Sequence, residues 1–230
     1  MMAEKIKIGA VTIGQSPRVD VAPDFEAALG IGAELIQAGA LDGLSLDEVK
    51  ELAPKAGDYI LVTRMRDGTE VKVAERCIHQ RMLGAIRKLE EAGVRLIALF
   101  CTGEFPDLDS RCPILKPDGL LIRLVPAIAG KGKLGVILPS EDQKEAMGRK
   151  WGKTGLAFEM EAASPYTGTE EDFRRAARNI REKDIDLIVL DCIGYSREMK
   201  RIIKEESGKP VILPRTLLGR VAGEILDGGV

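Results

Sequence analysis

Short apolar runs alternate with longer amphipathic segments along almost the whole chain of 230 residues. This alternation is typical of a parallel β-sheet covered by helices, because parallel strands are buried on both faces and are joined by helical connections. The sequence therefore predicts an α/β fold. The predicted strands are 6–13, 59–62, 94–100, 133–138, 156–161, 187–190 and 211–213, with 70–73 added through a hairpin turn at Asp67-Gly68. The predicted helices are 19–29, 46–52, 74–92, 119–129, 142–151, 170–183, 196–206 and 217–226.

Two of these helices begin with a cap that the sequence shows. Ser45 with Glu48, and Thr169 with Asp172, have the spacing of a capping box, in which two side chains satisfy backbone N–H groups at the start of a helix. We expect both caps to form.

The two halves of the chain resemble each other. A glycine-containing strand runs into a polar turn at IKIGAVTIGQSP (6–17) and again at KLGVILPSEDQ (133–143). A strand that ends in cysteine follows a charged helix at VRLIALFCTGE (94–104) and again at IDLIVLDCIGY (185–195). Such an echo indicates a duplicated unit. The predicted strand and hairpin within 59–73 account for the greater length of the first half.

Proline and glycine crowd the stretch between Cys112 and Lys133, which predicts a crossover between the two halves. We therefore expect two similar lobes, each a mostly parallel sheet flanked by helices, related by pseudo-twofold symmetry. The first lobe is predicted to comprise residues 1–115, completed by a C-terminal helix at 214–230. The second is predicted to comprise residues 116–213.

Charge and composition exclude several classes of function. The formal net charge is −2, with acidic and basic residues interspersed, whereas nucleic-acid binding requires clustered Lys and Arg. No apolar run reaches the ~18 to 20 residues that cross a bilayer, and the first residues lack the apolar region of a signal peptide. We expect no nucleic acid or membrane as partner and a cytoplasmic location. A single Asn among abundant Glu, Lys and Arg is typical of a thermophilic source.

Neither glycine-rich stretch has the spacing of a nucleotide-binding motif. GKGKLG at 130–135 lacks the GxxxxGK[ST] pattern and precedes a strand, and GIGAEL at 30–35 lacks the third glycine of a dinucleotide fingerprint. We therefore expect no cofactor.

The four cysteines, Cys77, Cys101, Cys112 and Cys192, show no CxxC spacing. In a reducing compartment this argues against a disulfide scaffold. Zinc bound by Cys77, His79, Cys101 and Cys112 is conceivable from residue type, but the spacing matches no known zinc motif. The prediction is that no metal is bound.

Cys101 and Cys192 each end a buried strand. In open α/β sheets ligands collect at the carboxyl ends of strands, where the positive end of the next helix stabilises a thiolate and lowers a thiol pKa from ~8.5 toward neutrality. If the two lobes face each other across a cleft, one sulfur stands on each side of a bound substrate. That arrangement suits removal of a proton from one face of a carbon and delivery from the other. Cys101 and Cys192 are the predicted acid and base.

Donors for a substrate carboxylate or enolate are expected in the loops after the strands, because removing a proton beside a carboxylate leaves charge that must be stabilised. Arg18 suits this role, since a guanidinium can bind a carboxylate through two parallel hydrogen bonds. The expected ligand is a small carboxylate-bearing molecule. The predicted substrate-binding residues are Thr12, Gly14, Gln15, Ser16, Arg18, Thr102, Gly103, Pro139, Ser140, Gly194, Tyr195 and Ser196.

Four stretches, TIGQSPRVD, FCTGEF, GVILPSEDQ and LDCIGYS, together resemble the AroM family, and the resemblance runs over almost the whole chain. The two-lobed plan with a cysteine after a strand in each lobe is similar to the aspartate/glutamate racemase superfamily. That resemblance implies cofactor-independent racemase or isomerase chemistry at the carbon next to a carboxylate, with one or two active-site cysteines between the lobes. Carried over to this chain, it implies Cys101 in the first lobe and Cys192 in the second.

The chain departs from the racemase pattern around both cysteines. The racemases usually follow the first cysteine with Asn-Thr and the second with Thr, whereas this chain has Thr102-Gly103 and Ile193-Gly194. Asp191 also precedes Cys192, and its charge would disfavour a thiolate if its carboxylate pointed the same way. These departures leave the substrate and the reaction open.

Three alternatives remain open from the sequence. Cysteine is often a small apolar residue of the core at strand ends. The lobes could form a small-molecule binding or regulatory protein that has lost catalysis. The two cysteines could also form a redox pair, which would need Cα atoms within ~7 Å. The oligomeric state is open as well, with a homodimer as one option.

Overall fold

The computed structural model describes residues 5–226. Within this range the chain forms two compact units, of which the first contains residues 5–101, 105–117 and 215–226. The second contains residues 102–104 and 118–214. The ends of the predicted first lobe, 1–4 and 227–230, lie outside the described residues.

The described chain contains alternating strands and helices, as the apolar periodicity predicted. The strands are β1 (Ile6–Thr12), β2 (Ala33–Gly39), β3 (Ile60–Arg64), β4 (Glu70–Ala74), β5 (Ile97–Phe100), β6 (Ile114–Leu115), β7 (Leu134–Leu138), β8 (Phe158–Ala162), β9 (Leu187–Leu190) and β10 (Val211–Ile212). The helices are α1 (Ala22–Leu29), α2 (Leu46–Lys50), α3 (Glu75–Glu91), α4 (Pro117–Ala129), α5 (Lys144–Gly152), α6 (Glu170–Arg181), α7 (Arg197–Ser207) and α8 (Pro214–Leu226), with a 3-10 helix at Glu141–Gln143. Of the helices among residues 5–226, none is both long enough and apolar enough to cross a bilayer.

The first unit is built on a parallel sheet with the strand order β2-β1-β5-β6. Its central strand β1 is covered by α3, whose apolar face includes Leu89. The two elements approach closely at Gly9, where a Cβ atom would lie 3.2 Å from side-chain carbons of both Leu89 and Ile97. The opening glycine of the first strand is therefore a packing requirement.

The second unit repeats this plan. Its parallel sheet has the order β10-β9-β7-β8, which read from the other edge is the order of the first sheet. Gly135 in β7 takes the place of Gly9, because a Cβ atom there would lie 2.8 Å from Ile180 of α6. Counted from β2 in the first sheet and from β8 in the second, the strand that precedes a cysteine, β5 or β9, is the third. The duplication inferred from the sequence is thus present in the topology.

The extra length of the first half is a hairpin, as predicted. Strands β3 and β4 pair antiparallel, from Ile60 opposite Ala74 to Arg64 opposite Glu70, and form a sheet of their own. The insertion leaves the order of the four parallel strands unchanged.

The last helix, α8, belongs to the first unit. The buried Arg215 donates to the carbonyl oxygen of Asp20 at 2.6 Å and to a carboxylate oxygen of Asp24 at 3.1 Å. Further along α8, Gly219 lies against the backbone of α1, since a Cβ atom there would be 2.5 Å from the carbonyl oxygen of Phe25. The two helices therefore pack with backbone close to backbone.

The sequence prediction missed two strands and began helix α1 three residues too early. Neither β2 nor the two-residue β6 was predicted. Helix α1 begins at Ala22 and not at Val19, after a turn in which the amides of Val21 and Ala22 donate to the carbonyl oxygen of Arg18. Val19 is accordingly exposed.

Candidate functional site

Cys101 follows β5 directly, at the carboxyl end of a central strand. Its side chain is 7% exposed and belongs to the core cluster that also contains Val11, Leu99 and Leu108. All four cysteines of the chain lie within the described residues, and all carry free thiols. The position after the strand is the one predicted, and the burial is that of a core residue.

Cys192 follows β9 in the same way and is 6% exposed. Two groups of the second unit approach its sulfur. The amide N–H of Gly194 donates to Sγ at 3.4 Å, and the hydroxyl oxygen of Tyr166 lies 3.8 Å from Sγ, in a contact where either atom can donate. Tyr166 was not among the predicted site residues.

The carboxylate of Asp191 is held by a buried cation. Its oxygens accept hydrogen bonds from Lys150 Nζ at 2.7 and 2.9 Å and from Trp151 Nε1 at 2.8 Å. The side chains of Lys150 and Asp191 are fully buried. The negative charge beside Cys192, which the sequence left as a concern, is therefore balanced by an ion pair.

The short segment Thr102–Glu104 belongs to the second unit and is held there by two lysines. Lys150 Nζ gives its third hydrogen bond to the carbonyl oxygen of Thr102 at 2.8 Å, and Lys153 pairs with Glu104. Thr102 is buried. Thr102 is one of the predicted substrate-binding residues, and its carbonyl oxygen already accepts a hydrogen bond within the second unit.

Arg18 has a carboxylate partner inside the first unit. Its guanidinium binds Asp20 through two parallel hydrogen bonds of 2.8 and 2.7 Å, and Nη1 donates to Thr12 Oγ1 at 3.2 Å. Burial opposes ionisation of Asp20, but the hydrogen bonds and charge of Arg18 outweigh it, so the pKa of Asp20 lies below its usual range. The expected bidentate bond from Arg18 to a substrate carboxylate would require this pair to break.

The rest of the first loop is tied to its own unit. The amide and hydroxyl of Ser16 both donate to Asp42, at 2.7 and 2.6 Å. The side chain of Gln15 donates to the carbonyl oxygen of Leu44 at 2.8 Å and accepts from the amide of Arg66 at 2.9 Å. These polar groups build the loop after β1. Gly14 is required by packing there, because a Cβ atom would lie 2.6 Å from the carbonyl oxygen of Arg64.

Pro139 and Ser140 line an open cavity of about 260 Å³ at the carboxyl ends of β7 and β8. Its wall also includes Asp172 and Arg175 of α6, which pair at 2.7 Å. Hydrogen bonds from the amide and hydroxyl of Thr169, followed by that from Arg175, lower the pKa of Asp172 to about 2. The cavity wall therefore carries both signs of charge at neutral pH.

The turn after Cys192 is fixed by its own side chains. Tyr195 is fully buried and donates its hydroxyl to the carbonyl oxygen of Ala163 at 2.8 Å. The hydroxyl of Ser196 caps α7 by accepting from the amide of Met199 at 3.2 Å. In the described structure both hydroxyls serve the fold of the loop.

Within residues 5–226, no group of three or more His, Cys, Asp or Glu side chains lies close enough together to hold a metal ion. His79 and Cys112, two members of the conceivable zinc set, have other neighbours. His79 Nδ1 lies 3.6 Å from Glu75, and Cys112 Sγ contacts the carbonyl oxygen of Val94 at 3.2 Å.

The sequence profile described as AroM protein matches residues 8–226, nearly the whole chain. The chain belongs to the AroM family. This confirms the first resemblance seen in the sequence. A comparison with curated protein sequences finds no match to this AroM chain.

Solved structures share the fold of this AroM protein at low sequence identity. The maleate isomerase Iso from Pseudomonas putida S16 has a TM-score of 0.65 at 13% identity, covering 97% of this chain and 94% of its own. A liganded double mutant of arylmalonate decarboxylase has 0.64 at 13%, covering 98% and 94%. Glutamate racemase from Aquifex pyrophilus has 0.60 at 17%, covering 96% and 84%. The racemase-type α/β fold predicted from the sequence is confirmed.

The structure groups the predicted residues of the AroM chain into local sets. In the first unit, Thr12 and Arg18 contact each other. In the second, the amide of Gly194 reaches Cys192. The contacts that sequence reasoning missed are those of Lys150 and Tyr166.

Proposed function

We propose that this AroM protein is a cofactor-independent racemase or isomerase that acts at the carbon next to a carboxylate, with Cys101 and Cys192 as acid and base. The observation that carries the proposal is topological equivalence. Each cysteine follows the third strand, β5 or β9, of a parallel sheet with the same strand order. A duplicated unit that keeps a thiol at one position in both copies supports a shared role for the two sulfurs.

The proposed reaction moves one proton at each thiol. One cysteine, as thiolate, takes the proton from the carbon, and the C–H electron pair stays on the substrate as an enolate. The other cysteine, as thiol, gives its proton to the opposite face, where the electron pair forms the new C–H bond. The two cysteines thereby exchange protonation states, and the product has the inverted configuration. The proposed substrate is a small carboxylate-bearing molecule.

A carboxylate-binding or regulatory protein without catalysis is the second candidate. The departures from the racemase pattern at Thr102-Gly103 and Ile193-Gly194 favour it, because the residues directly after both proposed catalytic cysteines have changed. The pairing of Arg18 with Asp20 bears equally on both candidates, since each would bind a carboxylate.

Solvent deuterium exchange tests the catalytic proposal. The protein is incubated in deuterium oxide with a panel of amino and hydroxy acids, and deuterium at the α-carbon is measured by NMR and mass spectrometry. We expect incorporation with the wild-type chain and its loss in both Cys101→Ser and Cys192→Ser. The matched controls Cys77→Ser and Cys112→Ser should keep the activity.

The same panel separates the two candidates. A regulatory protein would be stabilised against heat by a carboxylate ligand, and the stabilisation would survive replacement of both cysteines. Absence of exchange across the panel, together with such ligand-dependent stabilisation, would reject the enzymatic proposal and favour the binding protein.

A further inference from the structure

We propose that Tyr166 is a further catalytic residue, whose hydroxyl donates a hydrogen bond to the thiolate of Cys192 and so favours Cys192 as the base of the resting protein. The inference rests on the proposed function only for the role of Cys192 in proton transfer. Its physical basis is the 3.8 Å contact between the tyrosine oxygen and Sγ.

The chain builds this contact from a fixed turn. The hydroxyl oxygen of Ser164 accepts from the amides of Tyr166 at 3.1 Å and Thr167 at 3.2 Å, and the amide of Gly168 donates to the carbonyl oxygen of Ser164 at 3.0 Å. Serine side chains commonly stabilise turns in this way. The backbone of Tyr166 is therefore held in place independently of its hydroxyl.

Gly194 leaves the space that the tyrosine hydroxyl occupies. A Cβ atom at position 194 would lie 2.6 Å from the hydroxyl oxygen of Tyr166 and 2.7 Å from Cζ. The amide of the same glycine donates to Cys192 Sγ at 3.4 Å. A backbone amide and a hydroxyl from different loops thus contact one sulfur. The hydrogen bond from Tyr195 to Ala163 joins these loops.

The protonation state of the sulfur decides the direction of the Tyr166 bond. A thiol can donate or accept, whereas a thiolate can only accept. The bond from Tyr166 becomes charge-assisted when Cys192 is ionised, and charge-assisted bonds are stronger than neutral ones. The hydroxyl therefore favours the thiolate over the thiol. When Cys192 takes the substrate proton, an S–H bond forms and the tyrosine keeps its own proton.

Three acidic groups on the elements near Cys192 are paired with opposite charges. Asp191 of the β9 end is bound to Lys150 of α5, Asp172 to Arg175 within α6, and Glu198 to Arg201 within α7. Residues 118–214 contain one cysteine and no histidine. Cys192 is thus the side chain in this range whose ordinary titration falls between about pH 6 and 9.

Alkylation of the wild-type protein measures the thiolate at each cysteine without any substrate. The intact chain is treated with iodoacetamide across the pH range, quenched and digested with trypsin. Cleavage after Lys and Arg places Cys192 in peptide 184–197 and Cys101 in peptide 96–111, so that mass spectrometry reads the two rates separately. The quantity compared is the pH at which each rate reaches half its maximum.

We expect Tyr166→Phe to raise that pH for Cys192 by about one unit, which is about tenfold less thiolate at neutral pH, because one hydrogen bond to a charged group is lost. Cys101 in the same digest should keep its profile. Tyr59→Phe, which removes the same hydroxyl from a tyrosine of the first unit, should leave Cys192 within twofold of wild type.

A second variant, Gly194→Ala, keeps the tyrosine but displaces its hydroxyl, and should raise the half-maximal pH of Cys192 in the same direction. An unchanged Cys192 profile in Tyr166→Phe would overturn the inference, and so would an equal change at Cys101. The alkylation measurement does not depend on solvent deuterium exchange. An unchanged alkylation profile would therefore reject the role of Tyr166, whereas absence of deuterium exchange would reject the catalytic proposal, and the two results can be told apart.

Discussion

At the scale of single residues, Asp191 and Lys150 form the most deeply buried ion pair described in the chain, and both side chains are shielded completely from solvent. Each of the two charges is balanced by the other. A buried pair of this kind gains little over apolar packing but is costly to break, because removal of one partner leaves a charge in a medium of low dielectric constant. The pair therefore fixes the residue before Cys192 more than it adds stability.

Replacement of Lys150 by methionine should destabilise the protein by about 3 to 5 kcal/mol, since Asp191 would lose its buried partner. Denaturant unfolding measures the change. The matched control is Lys153→Met on the following turn, which removes the half-exposed pair with Glu104 and should cost no more than about 1 kcal/mol.

A double variant distinguishes the lost charge from lost packing. Lys150→Met combined with Asp191→Leu removes both charges and should recover much of the stability lost in the single variant. If Lys150→Met were as stable as Lys153→Met, the buried pair would not have the role given to it here.

The two cysteines could be predicted from sequence because each ends a recognisable apolar strand. Their neighbours could not, because Lys150 reaches Asp191 across 41 residues and Tyr166 reaches Cys192 across 26. One local signal was present for Lys150. It is buried in α5 together with Met147 and Trp151, which lie on one helix face at a spacing of four, and Lys150 follows Met147 at a spacing of three. A lysine at such a position needs a buried partner.

At the scale of elements, the sequence predicts the buried central strands most clearly. The central strands β5 and β9 are fully buried and read as continuous apolar runs. The edge strand β2 is half-buried and carries Glu34 and Gln37, so its sequence lacks a clear strand period. The other missed strand, β6, has only two residues and follows Pro113. The absence of a strand period explains why β2 was missed, and short length explains why β6 was missed.

Helix starts were better determined, because a cap is a local interaction. Both predicted capping boxes are present, at Ser45 with Glu48 and at Thr169 with Asp172. In the second, one oxygen of Asp172 accepts from the amide of Thr169 at 2.9 Å and from its hydroxyl at 2.7 Å. These bonds are stronger when the carboxylate is ionised.

The Asp172 cap should make α6 sensitive to acid. Its pKa is about 2 in the folded chain against an ordinary value of 3.8, so its stabilising effect is present above the ordinary value and is lost as the pH falls toward 2. Asp172→Asn should therefore be less stable than wild type at pH 7. That deficit should shrink between about pH 5 and 2.

Denaturant unfolding at a series of pH values measures the deficit. Thr169→Val, which removes the hydroxyl donor but keeps the amide, should show a smaller version of the same trend. A deficit of Asp172→Asn that stays constant down to pH 2 would contradict the assignment of the carboxylate as the titrating group.

At the scale of the whole molecule, one strand order occurs twice, and the elements around it differ between the copies. Helix α7 connects β9 to β10 in the second unit, where the described residues of the first form no helix between β5 and β6. The hairpin β3–β4 is inserted along the chain between β2 and β5. Helix α8 returns to the first unit from the far end of the sequence. The helix is secured by Arg215, whose guanidinium is buried against Asp20 and Asp24.

Arg215→Met should therefore destabilise the protein by about 2 kcal/mol, because hydrogen bonds to a charged group are lost and Asp24 loses its partner. Arg220→Met changes an exposed arginine of the same helix and should stay within about 0.5 kcal/mol of wild type. Equal stability of the two variants in denaturant unfolding would show that the Arg215 contacts do not hold the helix.

The return of α8 has a consequence for synthesis on the ribosome. Residues 118–214 are continuous and can assemble as soon as they have emerged, whereas the unit that begins the chain waits for a segment made after them. Domains usually fold in the order of translation. Here the nascent polypeptide would complete its later unit first, and the unit made first would lack its last helix until residues 215–226 have emerged as well.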